Sequence, residues 1–364
     1  MNEYGIYFGH FYPPHRGHLQ AIFSAGAQCD HLFVVISNDN ARNQRESEAA
    51  GIHVISGALR LRWLCQELSD FDYISVLMMD ETDIPQYPEG FGQWIKLLLQ
   101  TVRSTKEYRH EPKPFTFFVG DSVYTDALKA YGHVQVYDIA NSWYPIRSAV
   151  IRKDPYTYWD YILGSARPFF ATRVLITGTE STGKTSLTKI LAKLYHTSWS
   201  YEVGRYYTHE FMGDNEEIYT DVDFMRLAHL QYEQDEQALH NANRVCFFDT
   251  DAVVTQYYSE LYLGHRIDYI ENFAKPVRYD LVLMLTPEVA WIDDGMRLNG
   301  DPERRWNLHR HLKQMYEQRG FKILEIGGDY KQRMDRAVAV VDDFMDDIYP
   351  RQKGDVNDGI RGGL

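Results

Sequence analysis

Cysteine is scarce. The three in 364 residues, Cys29, Cys65 and Cys246, lie far apart, are odd in number and form no CxxC pair. That excludes a disulfide framework and a cysteine-based zinc site, and it suits a reducing compartment. Long apolar runs are missing too: none approaches the roughly 18 residues a membrane span needs. The N-terminus enters Tyr4-Gly5-Ile6-Tyr7-Phe8-Gly9 without the basic and apolar regions of a secretory leader. The expectation is a cytoplasmic protein that does not engage a membrane. Nor is there a surplus of positive charge. Basic residues number 38 against 51 acidic, a formal charge of −13, which repels nucleic acid and anionic lipid, so no nucleic-acid partner is expected. What is present, 44% hydrophobic and 14% aromatic residues with 24% charged, describes a folded chain with a large core. Only residues 351–364, rich in Gly and Asp, read as a disordered tail.

The length suits two domains. Short apolar runs at residues 4–8, 32–36, 73–79, 115–119 and 134–137 alternate with amphipathic stretches such as 58–68 and 91–105, the rhythm of a parallel sheet wrapped by helices. After a Pro- and aromatic-rich passage, 154–170, the rhythm restarts with strand candidates at 173–177, 244–248, 280–285 and 322–326. The expected fold class is α/β, with parallel-sheet domains at 1–167 and 168–350. No internal repeat is visible, because the halves carry different phosphate-binding signatures.

In the second half, Gly178-Thr179-Glu180-Ser181-Thr182-Gly183-Lys184-Thr185 fits G-x-x-x-x-G-K-[ST], follows a strand-like run and precedes a helix-like one at 185–194. Its glycines let backbone N–H groups turn around a polyphosphate, Lys184 brings a cation to the transferred group, and the Thr185 hydroxyl can ligate Mg²⁺. Residues 178–186, with Ser186 at the helix start, form the candidate ATP-binding set. Phe247-Phe248-Asp249-Thr250-Asp251 closes an apolar run with two acids: Asp249 is the metal-side candidate and Asp251 a substrate-hydroxyl candidate. Glu202 and Arg205 follow another short strand-like run, 197–201; Glu202 can accept a proton from an attacking hydroxyl or bond a sugar diol. For each of these acids the bland reading is a helix N-cap or a surface ion pair. Gly300-Asp301-Pro302-Glu303-Arg304-Arg305, ahead of a helix-like 306–319, reads as a lid whose Arg304 and Arg305 close over ATP, or as a solvated basic helix start. Arg297 is open to the same two readings. No guanine-reading NKxD tetrad occurs, which argues against a GTPase.

In the first half, Gly9-His10-Phe11-Tyr12-Pro13-Pro14-His15-Arg16-Gly17-His18 follows the first strand candidate, with a helix beginning near His18. Gly9 permits close approach of a nucleotide, and Phe11 belongs to the same loop. His15 and His18, three apart, can point together at a phosphate and donate hydrogen bonds to charge that builds during displacement of pyrophosphate. A zinc site ranks lower, because no third ligand stands at suitable spacing. Pro145-Ile146-Arg147-Ser148-Ala149-Val150-Ile151-Arg152 adds Ser148 and Arg152 as candidates for the β- and γ-phosphates of ATP.

In that order, G-x-F-x-P-x-H-x-G-H, I-x-S-x-x-I-R and a phosphate loop resemble the NadR-type bifunctional proteins over about residues 3–348. The resemblance implies a Rossmann-like nucleotidyltransferase domain followed by a P-loop kinase domain. It implies NAD and pyrophosphate made from nicotinamide mononucleotide (NMN) and ATP in the first, and NMN and ADP made from ribosylnicotinamide and ATP in the second, with Mg²⁺ as cofactor. His15 and His18 fall on that family's catalytic histidines, Ser148 and Arg152 on its ATP-phosphate motif, and Arg147 departs from it where Ser is usual. Tyr87-Pro88-Glu89-Gly90-Phe91 and Trp94 resemble its acceptor-side segment, where an aromatic can stack on nicotinamide, although an aromatic at helical spacing is more often core. Glu202, Arg205, Asp249 and Asp251 match the kinase pattern. Enteric members carry a helix-turn-helix domain ahead of the catalytic motif; here that motif begins at Gly9 and no such domain is expected. Two other readings compete: a nucleotidyltransferase–kinase fusion acting on another phosphorylated acceptor, and an NAD- or ATP-sensing regulator with weak catalysis. A homo-oligomer stays open.

Overall fold

The computed structural model describes residues 3–120, 122–136, 142–289 and 301–348. Contacts within the chain separate two units, with the division between Arg167 and Pro168. Arg297 and the 351–364 segment lie outside the described residues.

The first unit is a parallel sheet of β1 (Tyr4–Gly9), β2 (His31–Asn38), β3 (Ile74–Asp80), β4 (Phe115–Val119) and β5 (His133–Val136), in the order β3-β2-β1-β4-β5. Its inner strands are apolar almost throughout, with Ile6, Phe33, Val34, Val35, Phe117 and Phe118 fully buried, as a sheet covered on both faces requires. The helices are α1 (Arg16–Gly26), α2 (Asn40–Ala50), α3 (Gly57–Leu68), α4 (Phe91–Arg103), α5 (Lys106–His110), α6 (Thr125–Leu128) and α7 (Ser148–Lys153). On α4 the residues Ile95, Leu98, Leu99 and Val102 form a buried stripe at helical spacing, each contributing roughly 1.5–3 kcal/mol on burial. No apolar stripe announces α2, whose buried residues are Asn43 and Ser47; its start is set by Asp39, which accepts the Arg42 N–H at 2.9 Å. Strand order reverses at β1, which opens a crevice beyond the C-terminal ends of β1 and β4.

A short α8 (Arg167–Phe170) leads into the second unit, another parallel sheet of β6 (Thr172–Thr177), β7 (Trp199–Ser200), β8 (Val245–Asp249), β9 (Leu281–Leu285) and β10 (Ile323–Ile326), ordered β10-β9-β6-β8-β7. Its helices are α9 (Lys184–Leu194), α10 (Val203–Met212), α11 (Asp221–His240), α12 (Ala252–Leu263), α13 (Pro302–Gln318) and α14 (Tyr330–Ile348). Register decides the site: Asp249, the last residue of β8, pairs with Ile176, two residues before the first glycine of the phosphate loop. No helix among the described residues is long and apolar enough to cross a membrane.

Candidate active sites

In the first unit a cleft of about 1640 Å³ opens where β1 runs into α1. His15 holds the extended N-cap position of α1 (φ −147°, ψ 171°), so His18 follows one turn later and the two rings stack with centroids 3.7 Å apart. The backbone N–H of His15 donates to His18 Nδ1 at 3.2 Å. A backbone amide can only donate, so Nδ1 is the bare nitrogen of a neutral ring and Nε2 carries the proton. Nδ1 of His15 is buried without a partner. Burial brings the His15 pKa down to about 4; it also pushes His18 well below the ordinary value, with neighbouring His15 adding to the effect. Both therefore stand neutral in the cleft lining near pH 7, His18 with its proton on Nε2. Phe11, at φ 48°, sets its ring edge against His18 at 4.9 Å. Only glycine fits at position 17, where a Cβ would stand 2.9 Å from Tyr144 O and 3.1 Å from the His15 ring.

Elsewhere the same cleft is lined by aromatics, among them Phe8, Tyr87, Phe91, Trp94 and Tyr124. Trp94 stacks on Tyr124 with centroids 6.0 Å apart, Tyr87 meets Tyr124 edge-on at 5.1 Å, and the indole N–H of Trp94 donates to Glu81 Oε2 at 2.8 Å. Burial raises the Glu81 pKa, opposed by hydrogen bonds from Ser37 and Trp94. Arg42, Arg147, His10 and Ser148 also line the cleft.

The second unit builds a phosphate loop between β6 and α9. Gly178 (φ 143°) and Gly183 (φ 88°) take backbone conformations that a side chain strains, and a Cβ on Gly178 would lie 2.8 Å from Leu285 O. The Lys184 ammonium reaches back to Thr179 O at 3.1 Å. Two arginines brace the loop from behind: Arg305 donates to Ser181 O at 3.3 Å, and Arg333 to Thr182 O at 2.7 Å. Carbonyls tied this way leave the loop's N–H groups for an anion. Thr185 Oγ1 donates to Asp249 Oδ2 at 2.5 Å, while Asp249 Oδ1 is buried with no partner. Burial raises the Asp249 pKa to about 6, with Glu202 adding and Lys184 opposing. A hydroxyl beside an orphaned carboxylate oxygen is a donor set suited to a hard divalent cation that keeps most of its water or phosphate ligands.

Next to that loop a smaller cavity of about 110 Å³ is lined by Glu180, Glu202, Arg205, Glu216, Gln231, Thr250 and the rings of Tyr219, Tyr258 and Tyr262, among others. Tyr262 stacks on Tyr219 with centroids 6.0 Å apart and on Tyr258 at 5.7 Å. Three acids around stacked phenols make a box for a flat cation.

The chain resembles known proteins along nearly its whole length. Residues 173–333 match the AAA domain family. The trifunctional NAD biosynthesis/regulator protein NadR of Salmonella typhimurium is 30% identical over 351 residues, which is 94% of this chain and 83% of that protein. The chain belongs to the NadR family. A crystal structure of NadR protein in complex with NR superposes with a TM-score of 0.75 at 27% identity, covering 95% of this chain and 96% of the other. A second, in complex with NAD and AMP-PNP, gives 0.74 at 26% identity with the same coverage.

Within this NadR framework the expected residues fall into three groups. His15, His18, Gly9, Phe11, Tyr87, Trp94 and Ser148 share the first cleft, although the Ser148 hydroxyl donates to Pro13 O at 2.9 Å. Lys184, Thr185 and Asp249 converge at the phosphate loop, and Glu202 and Arg205 line the cavity beside it. Ser186 is exposed one residue further along α9. Three expectations need correction. Arg152 lies outside the cleft lining: its guanidinium bonds Tyr12 O and pairs with Glu46 Oε2 at 2.6 Å, while Arg147, the residue that departs from the family pattern, lines the cleft. Asp251 is the N-cap of α12 and lies outside the cavity lining; its Oδ1 accepts from Val253 N, Val254 N and Tyr316 Oη, while its Oδ2 is buried with no partner. Gly300 of the lid segment lies outside the described residues; 301–305 form the start of α13, capped by Asp301, which accepts the Arg304 N–H at 2.7 Å, with Arg304 exposed and Arg305 buried as a brace.

Sequence reasoning missed Arg333, Gln231, Glu81 and the tyrosine box. It also missed Arg60, fully buried and donating to Asn38 Oδ1 at 2.5 Å and to the carbonyl of His10 in the histidine loop.

Proposed function

We propose that this NadR-family chain makes NAD from ribosylnicotinamide in two ATP-dependent steps, phosphorylation in the second unit and adenylyl transfer in the first. One observation carries the reading: the two units hold different phosphate chemistries. A P-loop with a hydroxyl–carboxylate pair suits a γ-phosphoryl group, and paired neutral imidazole donors suit charge developing at an α-phosphorus.

In the second unit the 5′-hydroxyl oxygen of ribosylnicotinamide attacks the γ-phosphorus. That P–O bond forms as the bond to the ADP oxygen breaks, and the hydroxyl proton passes to Glu202. Lys184 and the loop N–H groups hold the phosphates. Thr185 and Asp249 would hold Mg²⁺, which when bound would supply positive charge against the transferring group. Tyr219, Tyr258 and Tyr262 with Glu180 and Glu216 favour the positively charged pyridinium over a neutral base. In the first unit a phosphate oxygen of NMN, already ionised, attacks the α-phosphorus of ATP, and pyrophosphate leaves with the electrons of the broken P–O bond. His15 and His18 donate to that charge, Arg42 and Arg147 hold the distal phosphates, and the corner of Tyr87 and Trp94 receives the acceptor. Positioning and charge stabilisation suffice, since no proton has to be removed. The solved relatives are described with NR, and with NAD and AMP-PNP, ligands that fit these roles. The proposed partners are small molecules in the cytoplasm.

The test is a time course on ribosylnicotinamide with Mg-ATP. NMN is expected first and NAD after it. Absence of NMN overturns the kinase assignment, and NMN that never becomes NAD overturns the adenylyltransferase assignment.

A further inference from the structure

Glu202 occupies the N-cap position of α10 with extended backbone (φ −66°, ψ 108°), yet its side chain makes no cap bond. The carboxylate is thereby left for the cavity it lines, and something else must hold the chain there. One amide spans it. Gln231 on α11 donates from Nε2 to Tyr201 O at 3.1 Å and accepts the Val203 N–H on Oε1 at 3.0 Å, gripping the peptide groups on both sides of Glu202. The amide cannot turn over, because the second hydrogen of its nitrogen is shared between Asp235 Oδ1 at 2.9 Å and Ser200 Oγ at 3.1 Å. The Ser200 hydroxyl spends its own proton on Asp235 at 2.6 Å. Asp235 stands one helical turn beyond Gln231 and is buried, with Arg278 as its counter-charge at 3.3 Å. Each donor in this chain faces an acceptor, which fixes one orientation throughout.

We infer that Gln231 is a positioning residue for phosphoryl transfer: it acts through Glu202, aiming that carboxylate at the acceptor hydroxyl, with Asp235 and Ser200 fixing its orientation. The inference rests on the kinase reading of the second unit. A carboxylate displaced by about 1 Å can lose on the order of 100-fold in rate, whereas a residue that merely fills space or binds substrate changes stability or KM.

The experiment is a double-mutant cycle on the full chain with Gln231→Leu and Glu202→Ala, read as kcat and KM for ribosylnicotinamide phosphorylation. Gln231→Glu is a second variant of unchanged shape that keeps the acceptor for Val203 N–H and loses the donor. NAD formation from NMN serves as the folding control for the first unit, and a saturable ATP dependence of the remaining kinase rate with native KM as that for the second. Gln231→Leu and Gln231→Glu should each lower kcat at least 10-fold in the native background, with KM within threefold. In the Glu202→Ala background Gln231→Leu should cost less than twofold, because the group it aims is gone. Equal losses in both backgrounds, or an unchanged kcat in either Gln231 variant, overturn the clamp. A Glu202→Ala variant with native kcat would overturn the role given to Glu202 itself, and the clamp with it. If instead Glu202→Ala is slow but Gln231→Leu is not, the site reading stands and the clamp alone fails.

Discussion

Replacing His18 separates the two tasks its ring performs. Nε2–H is the donor available to the cleft, and Nδ1 accepts the backbone N–H of His15 at 3.2 Å. Loss of one donor aimed at developing charge costs on the order of 10²–10³ in kcat, about 2.7–4 kcal/mol. Loss of the acceptor leaves the His15 N–H without its partner, a stability cost of about 1–3 kcal/mol. His18→Ala should therefore cut NAD formation from NMN at least 100-fold and lower the denaturation midpoint of the first unit. His18→Asn can return an acceptor near the Nδ1 position without a donor at Nε2, so it should recover most of the stability and little of the rate. The KM for ATP should stay within threefold in both, because Arg42 and Arg147 still line the cleft, and the kinase rate should not move. Initial-rate assays of both reactions, with denaturant titrations, measure all of this. A kcat within threefold of native in His18→Ala would refute the reasoning.

Other outcomes follow from the same geometry. Lys184→Ala should remove the kinase reaction and spare NAD synthesis from NMN; loss of both rates would contradict independent sites. Arg147→Ala should raise the KM for ATP in adenylyl transfer about 10-fold with little effect on unfolding. Arg152→Ala should instead destabilise the first unit by about 1–3 kcal/mol, chiefly by removing the guanidinium donor from Tyr12 O, since Glu46 keeps Arg42 Nε at 2.7 Å; denaturation midpoints and ATP kinetics tell the two arginines apart. Burial holds His15 neutral with its pKa down at about 4, against about 6.5 unfolded. As pH falls through that window the unfolded chain takes up the proton first, so the first unit loses stability between about pH 6.5 and 4 and gains nothing further above it. Urea titrations at pH 7 and 5 should show the fall, and His15→Gln should make it shallower without removing it, because burial also lowers His10 and His18.

Both nucleotide motifs are legible in the sequence because their chemistry dictates residue types at fixed spacing. Glycine is demanded at 178 by a positive φ and at 17 by the nearness of Tyr144 O. The strands of both sheets are legible because burial on two faces makes them continuous apolar runs; β7, on the edge of its sheet, shrinks to Trp199–Ser200. What stays hidden is polar and long-range. Arg60, Arg333, Gln231 and Asp235 each sit on the apolar stripe of a helix, in the buried sets Gly57, Arg60, Leu64 and Leu68, then Arg333, Ala337, Val341 and Met345, then Leu227, Gln231, Asp235 and Ala238. A charged or amide residue standing in such a stripe must bond inward, since leaving it unpaired costs several kcal/mol. That irregularity is visible in the sequence, but most of its partners are not, because they lie on other strands and loops, such as Asn38 for Arg60, Ser200 for Gln231 and Thr182 for Arg333. Arg152 and Asp251 show the converse: motif position pointed to the sites, and in the structure each also makes bonds that hold the fold, Arg152 to Tyr12 O and Glu46 and Asp251 to the start of α12.

The central claim is that one chain cleaves ATP at two different phosphorus atoms. Phosphorus NMR of the enzyme turning over ribosylnicotinamide with Mg-ATP counts both products at once. One ADP and one pyrophosphate should appear for each NAD formed, and with NMN as the starting acceptor only pyrophosphate. NAD formed from ribosylnicotinamide without ADP, or ADP and NMN accumulating with no pyrophosphate, would contradict the account.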